Sequence, residues 1–253
     1  MRKLSILKVG GAIVENPASL GSFLDSFHEV EGPKILVHGG GRSASELCGR
    51  LGIPVKMVDG RRITDKATLE VAIMTYGGLV NRNIVAALQH RGENALGLSG
   101  ADLACIKAVK RASAQIDYGY VGDVREVNAD AICRLLESGV TPVFAPLSFD
   151  GTTLLNTTAD SIAAELAAAL ADRYEVSLRY CFEKEGVLDK DGVLIRSITP
   201  DSYLALKSSA AVSGGMIPKI DNAFASLGRG VREVFIGKTL VQADASSPRT
   251  DGR

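Results

Sequence analysis

The sequence predicts an α/β protein, a three-layer αβα sandwich with a mainly parallel central sheet. Three observations predict this fold class: apolar strand patterns alternate with helical patterns, glycines directly follow several strands, and the chain of 253 residues is long enough for a large core. The composition, with 46% hydrophobic and 23% charged residues, is that of a folded globular protein. Because α/β folds of this length often form one continuous sheet, we expect a single domain over residues 1–253.

The first third of the chain repeats a strand, a glycine turn and a helix. Gly10 and Gly11 follow the first apolar strand, and His38 with the glycines at 39–41 follows the second. Parallel strands joined by crossover helices explain this order. The strands are predicted at 4–9 and 34–37, and the helices at 20–27 and 44–51.

The alternation continues through the rest of the chain. The predicted elements are a turn or hairpin at 59–64, a long helix at 69–91, a strand at 95–102 that ends in a glycine turn, a hairpin at the sheet edge at 106–127, a helix at 129–138, a strand at 141–146, a loop at 150–151, a helix opening at 156–160, a strand at 176–182, a hairpin at 186–192, a helix from 217 and a final strand at 231–236. The polar segment after Gly237 is expected to be disordered at least at its end.

Charge, cysteine usage and hydropathy exclude several classes of protein. Lysine plus arginine equals aspartate plus glutamate at 29 each, which disfavours nucleic acid as a partner. The four cysteines are far apart without metal-ligand spacing, as in a reduced intracellular protein. Neither a signal peptide nor an apolar run of about 20 residues is recognisable. We therefore expect a cytoplasmic protein that binds no membrane.

The glycine turns are candidate phosphate sites. Glycines after a buried strand let the backbone approach a ligand, and free N–H groups at the following helix attract an anion. Gly10, Gly11, Gly40 and Gly41 all have this context. The alternative is that any strand-to-helix turn tolerates glycine. Neither turn matches the P-loop or dinucleotide-binding fingerprints.

Two lysines are candidates for stabilising a phosphoryl group. Lys8 lies at the carboxyl end of a strand that otherwise reads as buried, where ligands bind in open α/β sheets. Its side chain could instead extend harmlessly to solvent. Lys219 lies one turn into the helix after a glycine loop, and its alternative is an ordinary exposed helix lysine.

Asp160, Asn156 and Arg62 are further candidates for the site. Asp160 follows Asn156 by four residues, which places both on one face of the predicted helix, and its carboxylate could hold both lysines. Alternatively, Asp160 is a favourable acid in a first helical turn and Asn156 a turn residue. Arg62 offers a planar fork for a carboxylate, although Arg61 could do the same, or both could be solvated. His38 is interpreted as a hydrogen-bonded core residue rather than a general base.

These features occur as five motifs in one order. They are Lys8-Val9-Gly10-Gly11, Val37-His38-Gly39-Gly40-Gly41, Asp59-Gly60-Arg61-Arg62-Ile63-Thr64, Asn156-Thr157-Thr158-Ala159-Asp160 and Gly214-Gly215-Met216-Ile217-Pro218-Lys219. Together they resemble the acetylglutamate kinases of the amino-acid-kinase family, from Lys8 to about Ile236. The order of all five makes the resemblance specific, whereas each motif alone is weak.

The resemblance implies an ATP- and Mg²⁺-dependent kinase that phosphorylates the γ-carboxylate of an N-acylated glutamate. It implies that residues 1–170 form the acylamino-acid lobe and residues 171–240 the nucleotide lobe. The implied catalytic residues are Lys8, Lys219 and Asp160; the implied substrate-binding residues are Gly40, Gly41, Arg62 and Asn156; Gly10 and Gly11 bind phosphate, and Glu183, Gly186, Gly214, Gly215 and Met216 bind the nucleotide.

The chain departs from the family pattern at Phe182-Glu183-Lys184-Glu185-Gly186, where a Thr/Ser-Asp pair is usual, and after Gln242, where the usual ending is absent. No helix precedes the first strand, which within the resemblance implies a homodimer that arginine does not inhibit. The acyl group, acetyl or succinyl, stays open. Other open hypotheses are a related kinase with another acceptor, such as carbamate, aspartate or a nucleoside monophosphate, and a catalytically silent sensor of ATP or an amino acid.

Overall fold

A computed structural model describes residues 1–58, 60–209, 212 and 216–243. The strands are β1 Arg2–Val9, β2 Lys34–His38, β3 Met57–Val58, β4 Arg61–Arg62, β5 Ala95–Leu98, β6 Ile106–Lys110, β7 Gly122–Val127, β8 Thr141–Phe144, β9 Leu147–Phe149, β10 Leu154–Asn156, β11 Tyr174–Cys181, β12 Ser197–Ile198, β13 Glu233–Ile236 and β14 Thr239–Val241. The helices are α1 Gly11–Val14, α2 Pro17–His28, α3 Gly41–Arg50, α4 Lys66–Ala72, α5 Asn81–His90, α6 Ala129–Glu137, α7 Ala159–Leu170, α8 Pro200–Ser208 and α9 Met216–Leu227, with a π-helix at Ile73–Val80 and a 3₁₀ turn at Asp102–Ala104.

The central sheet has eight strands in the order β12-β14-β13-β11-β1-β2-β8-β5. β1 lies inside it and pairs in parallel with β11 on one side and β2 on the other. The pairing of β13 with β14 is antiparallel, whereas the other pairs of this sheet are parallel. The predicted α/β class with a mainly parallel sheet is confirmed.

Helices cover both faces of the central sheet, and alternate residues of β1 pack against the helices of one face or the other. Leu4 and Ile6 belong to the core formed with α6, α7 and α9, whereas Leu7 and Val9 belong to the core formed with α2 and α5. Side chains alternate between the two faces of a strand. Lys8 therefore has the parity of Leu4 and Ile6, and it points toward the α7 and α9 layer.

The predicted hairpin at 106–127 is not at the edge of the central sheet. β6 and β7 instead belong to a separate four-stranded sheet in the order β10-β9-β6-β7. The β9–β10 hairpin was not predicted, because three-residue strands give almost no periodicity. Its turn is held by Asp150, whose carboxylate accepts the N–H groups of Thr152 and Thr153 at 2.9 and 2.7 Å. This small sheet supplies a wall of the site described below.

The predicted long helix exists but contains a π-helical segment that the sequence did not reveal. From Lys66 to His90, α4, the π-helix and α5 run on for 25 residues, and this stretch is long and apolar enough to cross a membrane, with 44% of its most apolar window buried inside the protein. Its α5 portion packs on β5 and β8. We interpret it as a core helix, since such helices pass the same test of length and composition.

The C-terminal part of the described chain differs from prediction in two elements. β13 is not the final strand, because β14 folds back against it after Gly237, which has φ 60°. Helix α8 was not predicted; it begins with a capping box in which Thr199 and Ser202 exchange hydrogen bonds. The end of the polar segment after Gly237, for which disorder was predicted, lies outside the described residues, which stop at 243.

Candidate active site

The carboxyl ends of β1 and β2 place two glycine turns side by side. Gly39 donates its N–H to the Val9 carbonyl at 2.9 Å, and a Cβ atom on Gly39 would lie 2.9 Å from the nitrogen of Gly11. Gly40 has φ 155°, and a Cβ atom there would lie 3.3 Å from the Tyr76 ring. Side chains at 39 and 40 are therefore excluded. We call Gly10, Gly11, Gly39, Gly40 and Gly41 the glycine cradle.

Three backbone N–H groups of the cradle are available to a ligand. Gly11 and Gly41 are the first residues of α1 and α3, whose first N–H groups have no intrahelical acceptor. A Cβ atom on Gly11 would lie 3.6 Å from the nitrogen of Gly40 and 3.7 Å from that of Gly41. Within the described part of the chain none of the three N–H groups meets an acceptor. Such convergent N–H groups bind an anion.

Glu15 holds the start of α3, a role that the sequence analysis missed. Its Oε1 accepts the N–H of Ser43 at 2.9 Å, and its Oε2 lies 3.4 Å from the Nε atom of Arg42. The carboxylate thereby satisfies one of the first N–H groups of the helix. No local pattern could reveal this contact, because Glu15 precedes Ser43 by 28 residues.

A pocket opens in front of the cradle. It lies between the glycine turns, the β3–β4 hairpin and the end of β10. Arg62 is buried, and its Nη2 donates to the Gly41 carbonyl and the Ser45 hydroxyl, both at 2.8 Å. Its Nη1 is buried without a hydrogen-bond partner among the described residues. Because an unpaired buried donor is costly, this nitrogen would gain from an acceptor that reached it.

Asn156 lines the same pocket, but it lies on a strand and not on the predicted helix. It is the last residue of β10 and not part of the helix that carries Asp160, so the two do not share a helix face. Asn156 Nδ2 donates to the Thr64 hydroxyl at 2.9 Å, and that hydroxyl donates to the Arg62 carbonyl at 2.8 Å. Thr64, to which the sequence analysis assigned no role, thus fixes Asn156 against Arg62.

Lys8, Lys219 and Asp160 meet at the carboxyl end of β1, and we call them the lysine triad. Lys8 Nζ lies 2.8 Å from Asp160 Oδ1, and Lys219 Nζ lies 2.7 Å from Asp160 Oδ2. Asp160 is in the first turn of α7 and Lys219 in the first turn of α9, the two helices on the face to which Lys8 points. Strand parity and helix position therefore bring together three residues far apart in the chain.

The two lysines keep Asp160 ionised. Burial alone would raise the pKa of the Asp160 carboxyl, but the positive charges and hydrogen bonds of Lys8 and Lys219 outweigh it and hold that pKa below its usual range. Each ammonium group has one carboxylate oxygen as its partner among the described residues. Both therefore retain protons for other acceptors, since an ammonium carries three.

The predicted nucleotide-binding residues are only partly described. Gly10 donates its N–H to the Cys181 carbonyl at 2.9 Å, so the segment after β11 starts beside the cradle. Glu183 in that segment is exposed. Gly186 is packed tightly, since a Cβ atom on it would lie 2.6 Å from the Thr239 hydroxyl. Met216 begins α9, whereas Gly214 and Gly215 lie outside the described residues.

The described residues offer no set of metal ligands. Over these parts of the chain no group of three histidine, cysteine, aspartate or glutamate side chains could hold an ion. Asp160, the carboxylate at the centre of the site, is already engaged by two ammonium groups. The side chains of the site therefore fit a charged phosphate better than a protein-bound cation.

Comparison with known proteins matches nearly the whole chain. The profile of the "Amino acid kinase family" matches residues 3–238. An acetylglutamate kinase from Phocaeicola vulgatus is 52% identical over 245 residues, covering 95% of each protein, and one from Bacteroides thetaiotaomicron is 52% identical with the same coverage. The crystal structure of smu.665 from Streptococcus mutans UA159 superposes with a TM-score of 0.80 at 28% identity, covering 96% of this chain and 100% of that one. The chain therefore belongs to the amino acid kinase family, in the group of the acetylglutamate kinases.

Proposed function

We propose that the protein transfers the γ-phosphoryl group of ATP to the γ-carboxylate of N-acetyl-L-glutamate or N-succinyl-L-glutamate, in arginine biosynthesis. The observation that carries the proposal is the convergence of Lys8 and Lys219 on Asp160 beside the glycine cradle. The names of the relatives at 52% identity support this type of acceptor. Membership of a kinase family implies the use of ATP.

The reaction is an in-line displacement at the γ-phosphorus. An oxygen of the substrate γ-carboxylate forms a bond to phosphorus, the bond to the bridging oxygen of ADP breaks, and an acyl phosphate and ADP result. A carboxylate with a pKa near about 4 is already ionised at neutral pH, so no general base is required. The protein supplies position and positive charge instead. Lys8 and Lys219 provide that charge to the transferring oxygens, and Asp160 holds the two ammonium groups apart at a fixed spacing.

The acylamino acid occupies the pocket in front of the cradle. The guanidinium of Arg62 meets its α-carboxylate, and Asn156, which is linked to the Arg62 backbone through Thr64, orients it beside that guanidinium. Arg61 lines the same pocket, so a second guanidinium is present for the additional carboxylate of a succinyl group. This is why both acyl groups remain in the proposal.

The N-terminal and C-terminal parts of the chain bind different substrates. Residues 1–170 form the acylamino-acid lobe, because the pocket lining runs from Gly39 to Ala159. Residues 171–240 form the nucleotide lobe, with Glu183 and Met216 among its contacts. Since the described residues offer no metal-ligand set, Mg²⁺ arrives on the nucleotide phosphates, and no step is assigned to it. The enzyme works as a cytoplasmic homodimer.

An acyl-phosphate assay tests the proposal. The purified protein is incubated with ATP, Mg²⁺ and either N-acetyl- or N-succinyl-glutamate, and the acyl phosphate is trapped with hydroxylamine. We expect turnover with at least one of the two, and none with free glutamate. The absence of turnover with both substrates would reject the assignment.

A matched variant decides the acyl group. Arg61→Leu is expected to leave turnover of the acetyl substrate within about twofold while raising the KM for the succinyl substrate about tenfold, the value of one charge-assisted hydrogen bond. Use of the acetyl substrate alone by the unmodified protein would remove the succinyl branch and retain the kinase.

A further inference from the structure

His38 is a buried titratable group that the proposed reaction does not use. It is the last residue of β2, its side chain is fully buried, and it directly precedes the glycines at 39–41. Its Nδ1 lies 2.7 Å from the carbonyl oxygen of Gly39, and its Nε2 lies 3.1 Å from Nδ2 of Asn81. Since it has no access to the pocket, it cannot touch a substrate.

The hydrogen-bond partners permit one tautomer of His38. A carbonyl oxygen only accepts, so Nδ1 carries the proton and donates to Gly39. Nε2 then has a lone pair and accepts from the Asn81 amide, whose nitrogen also donates to the Val143 carbonyl at 2.9 Å. Burial lowers the pKa of His38 to about 4, against a smaller opposing effect of its bond to Gly39, so the ring is neutral at working pH.

The bond from His38 fixes the orientation of one peptide group of the cradle. In a trans peptide the carbonyl and the following N–H point in opposite directions. Because the Gly39 carbonyl is held toward the buried imidazole, the N–H of Gly40 points away from the core and into the cradle. Without such a contact, three successive glycines would have unusual freedom to rotate this peptide.

Asn81 anchors the imidazole in turn. It is buried at the start of α5, directly after the π-helix. A Cβ atom on Gly97 would lie 1.9 Å from Asn81 Oδ1, so the neighbouring strand β5 has no side chain where the amide sits. The Val143 carbonyl only accepts, so the amide nitrogen and not Oδ1 faces it and His38, while Oδ1 has no hydrogen-bond partner among the described residues.

We propose that His38 and Asn81 are positioning residues, which hold the Gly39–Gly40 peptide so that the N–H of Gly40 faces the oxygens that react in the pocket. The identity of those oxygens rests on the proposed function. The orientation itself rests on the contacts of His38 and Asn81 alone. His38 thus acts through the backbone and not as an acid or base.

Two conservative substitutions separate positioning from packing. In His38→Asn the amide nitrogen is as many bonds from Cβ as Nδ1 and can keep the bond to Gly39. In His38→Gln the amide reaches the place of Nε2 and keeps the bond to Asn81 but loses the bond to Gly39. Both replace a buried ring by a smaller amide, so their losses of folding stability are comparable. His90→Gln, at an exposed histidine, is the control for the assay.

The expected result is a split between the two variants. His38→Asn retains kcat within about threefold, whereas His38→Gln lowers kcat at least about tenfold with little change in the KM for ATP, because a transition-state donor is mispositioned. Equal losses of kcat in both variants, or losses that follow their melting temperatures, would show a merely structural role and overturn the proposal.

A second measurement does not depend on the reaction. The imidazole nitrogens of the isotope-labelled wild-type protein are observed by NMR between about pH 5 and 8. We expect one buried histidine to stay neutral throughout, with its proton on Nδ1 and none on Nε2, and to be absent from the spectrum of His38→Asn. A proton on Nε2 would overturn the inference. If the wild type shows this tautomer but turns over neither acylglutamate, the proposed function fails while the orientation of the cradle stands.

Discussion

A carboxylate lies between two basic groups at each of the two ends of the central strands, the carboxyl end and the amino end. The two clusters are nevertheless built differently. At the carboxyl end lies the lysine triad of Lys8, Asp160 and Lys219. At the amino end of β2, Glu93 Oε1 lies 2.7 Å from Lys34 Nζ and 2.7 Å from His28 Nδ1. We call His28, Lys34 and Glu93 the edge cluster.

The difference is in what remains unsatisfied. Lys34 Nζ also donates to the carbonyls of His28 and Val30 at 2.8 and 3.0 Å, so its three protons are all used. Lys8 and Lys219 each have one partner, Asp160, within the residues that the structure describes. The edge cluster is therefore closed and structural, whereas the lysine triad is incomplete without a ligand. The charges of the two clusters are alike; the number of lysine protons with an acceptor distinguishes them.

The largest expected effect tests the open side of this comparison. Lys8→Ala and Lys219→Ala should each lower kcat about 10²–10³-fold, because each removes a cation from the transferring phosphoryl group. Folding should change little, since Asp160 keeps the other lysine as its partner. Steady-state kinetics and thermal unfolding of the same preparations check both statements.

The control for that experiment is Lys3→Met, at an exposed lysine on the same strand. It should change neither kcat nor the melting temperature. A loss of kcat in Lys8→Ala that is matched by an equivalent loss of folded protein would remove the distinction between the two clusters.

The next effect tests the closed side. Lys34→Met should lower the free energy of unfolding by about 2–3 kcal/mol, because Glu93 and two carbonyl oxygens lose a buried charged donor. The kcat measured at low temperature should be unchanged, since the edge cluster is at the opposite end of the strands from the glycine cradle. Urea unfolding gives the free energy. A large loss of kcat in a folded Lys34→Met protein would contradict the structural role.

The sequence predicted the lysine triad for a reason that the edge cluster did not share. Lys8 interrupts a buried strand at its carboxyl end and precedes glycines, which is a local signal. Lys34 begins its strand, where a lysine is unremarkable. Its partner Glu93 is 59 residues away in the sequence, so only the fold brings the two together. Local context made Lys8, Lys219 and Asp160 candidates one by one, whereas their convergence on one point was implied by the resemblance and not by the local patterns.

Contacts that depend on the small sheet could not be predicted in this way. The link from Asn156 through Thr64 to Arg62 joins short strands whose pairing has no periodic signal. The sequence placed Asn156 on a helix because it precedes an alanine-rich helical pattern, and the strand β10 was too short to notice. The π-helix beside the cradle has no sequence signature beyond a pair of glycines.

Arg62 combines in one side chain the satisfied donors of the edge cluster and the unsatisfied donors of the lysine triad. Its Nη2 is saturated by Gly41 and Ser45, whereas its Nη1 is not. Arg62→Ala should therefore raise the KM for the acylglutamate about tenfold or more, the loss of one charge-assisted contact, with a modest loss of folding stability. The KM for ATP should stay within about twofold. Arg62→Lys separates the two roles, since it keeps a charge but loses the planar fork. Recovery of the full KM by that variant would show that charge alone binds the substrate.

The smallest effect concerns acid, and it tests what the two clusters have in common. Burial would raise the pKa of both carboxyls, but the basic partners hold the pKa of Asp160 and that of Glu93 below their usual values. A carboxyl whose pKa is lowered by folding stabilises the protein above its unfolded pKa, and that contribution is lost as the pH falls through the folded pKa. The wild type should thus lose stability below about pH 4, where free carboxyls become protonated.

Asp160→Asn and Glu93→Gln should each make that part of the pH profile flatter. The sign is the same at both ends of the sheet, because the carboxylates are equally ionised and only the free protons of the lysines differ. Thermal unfolding between about pH 3 and 7 measures both slopes. A profile that steepens in either variant would mean that its carboxyl is protonated in the folded protein, and the comparison would then rest on the wrong charge.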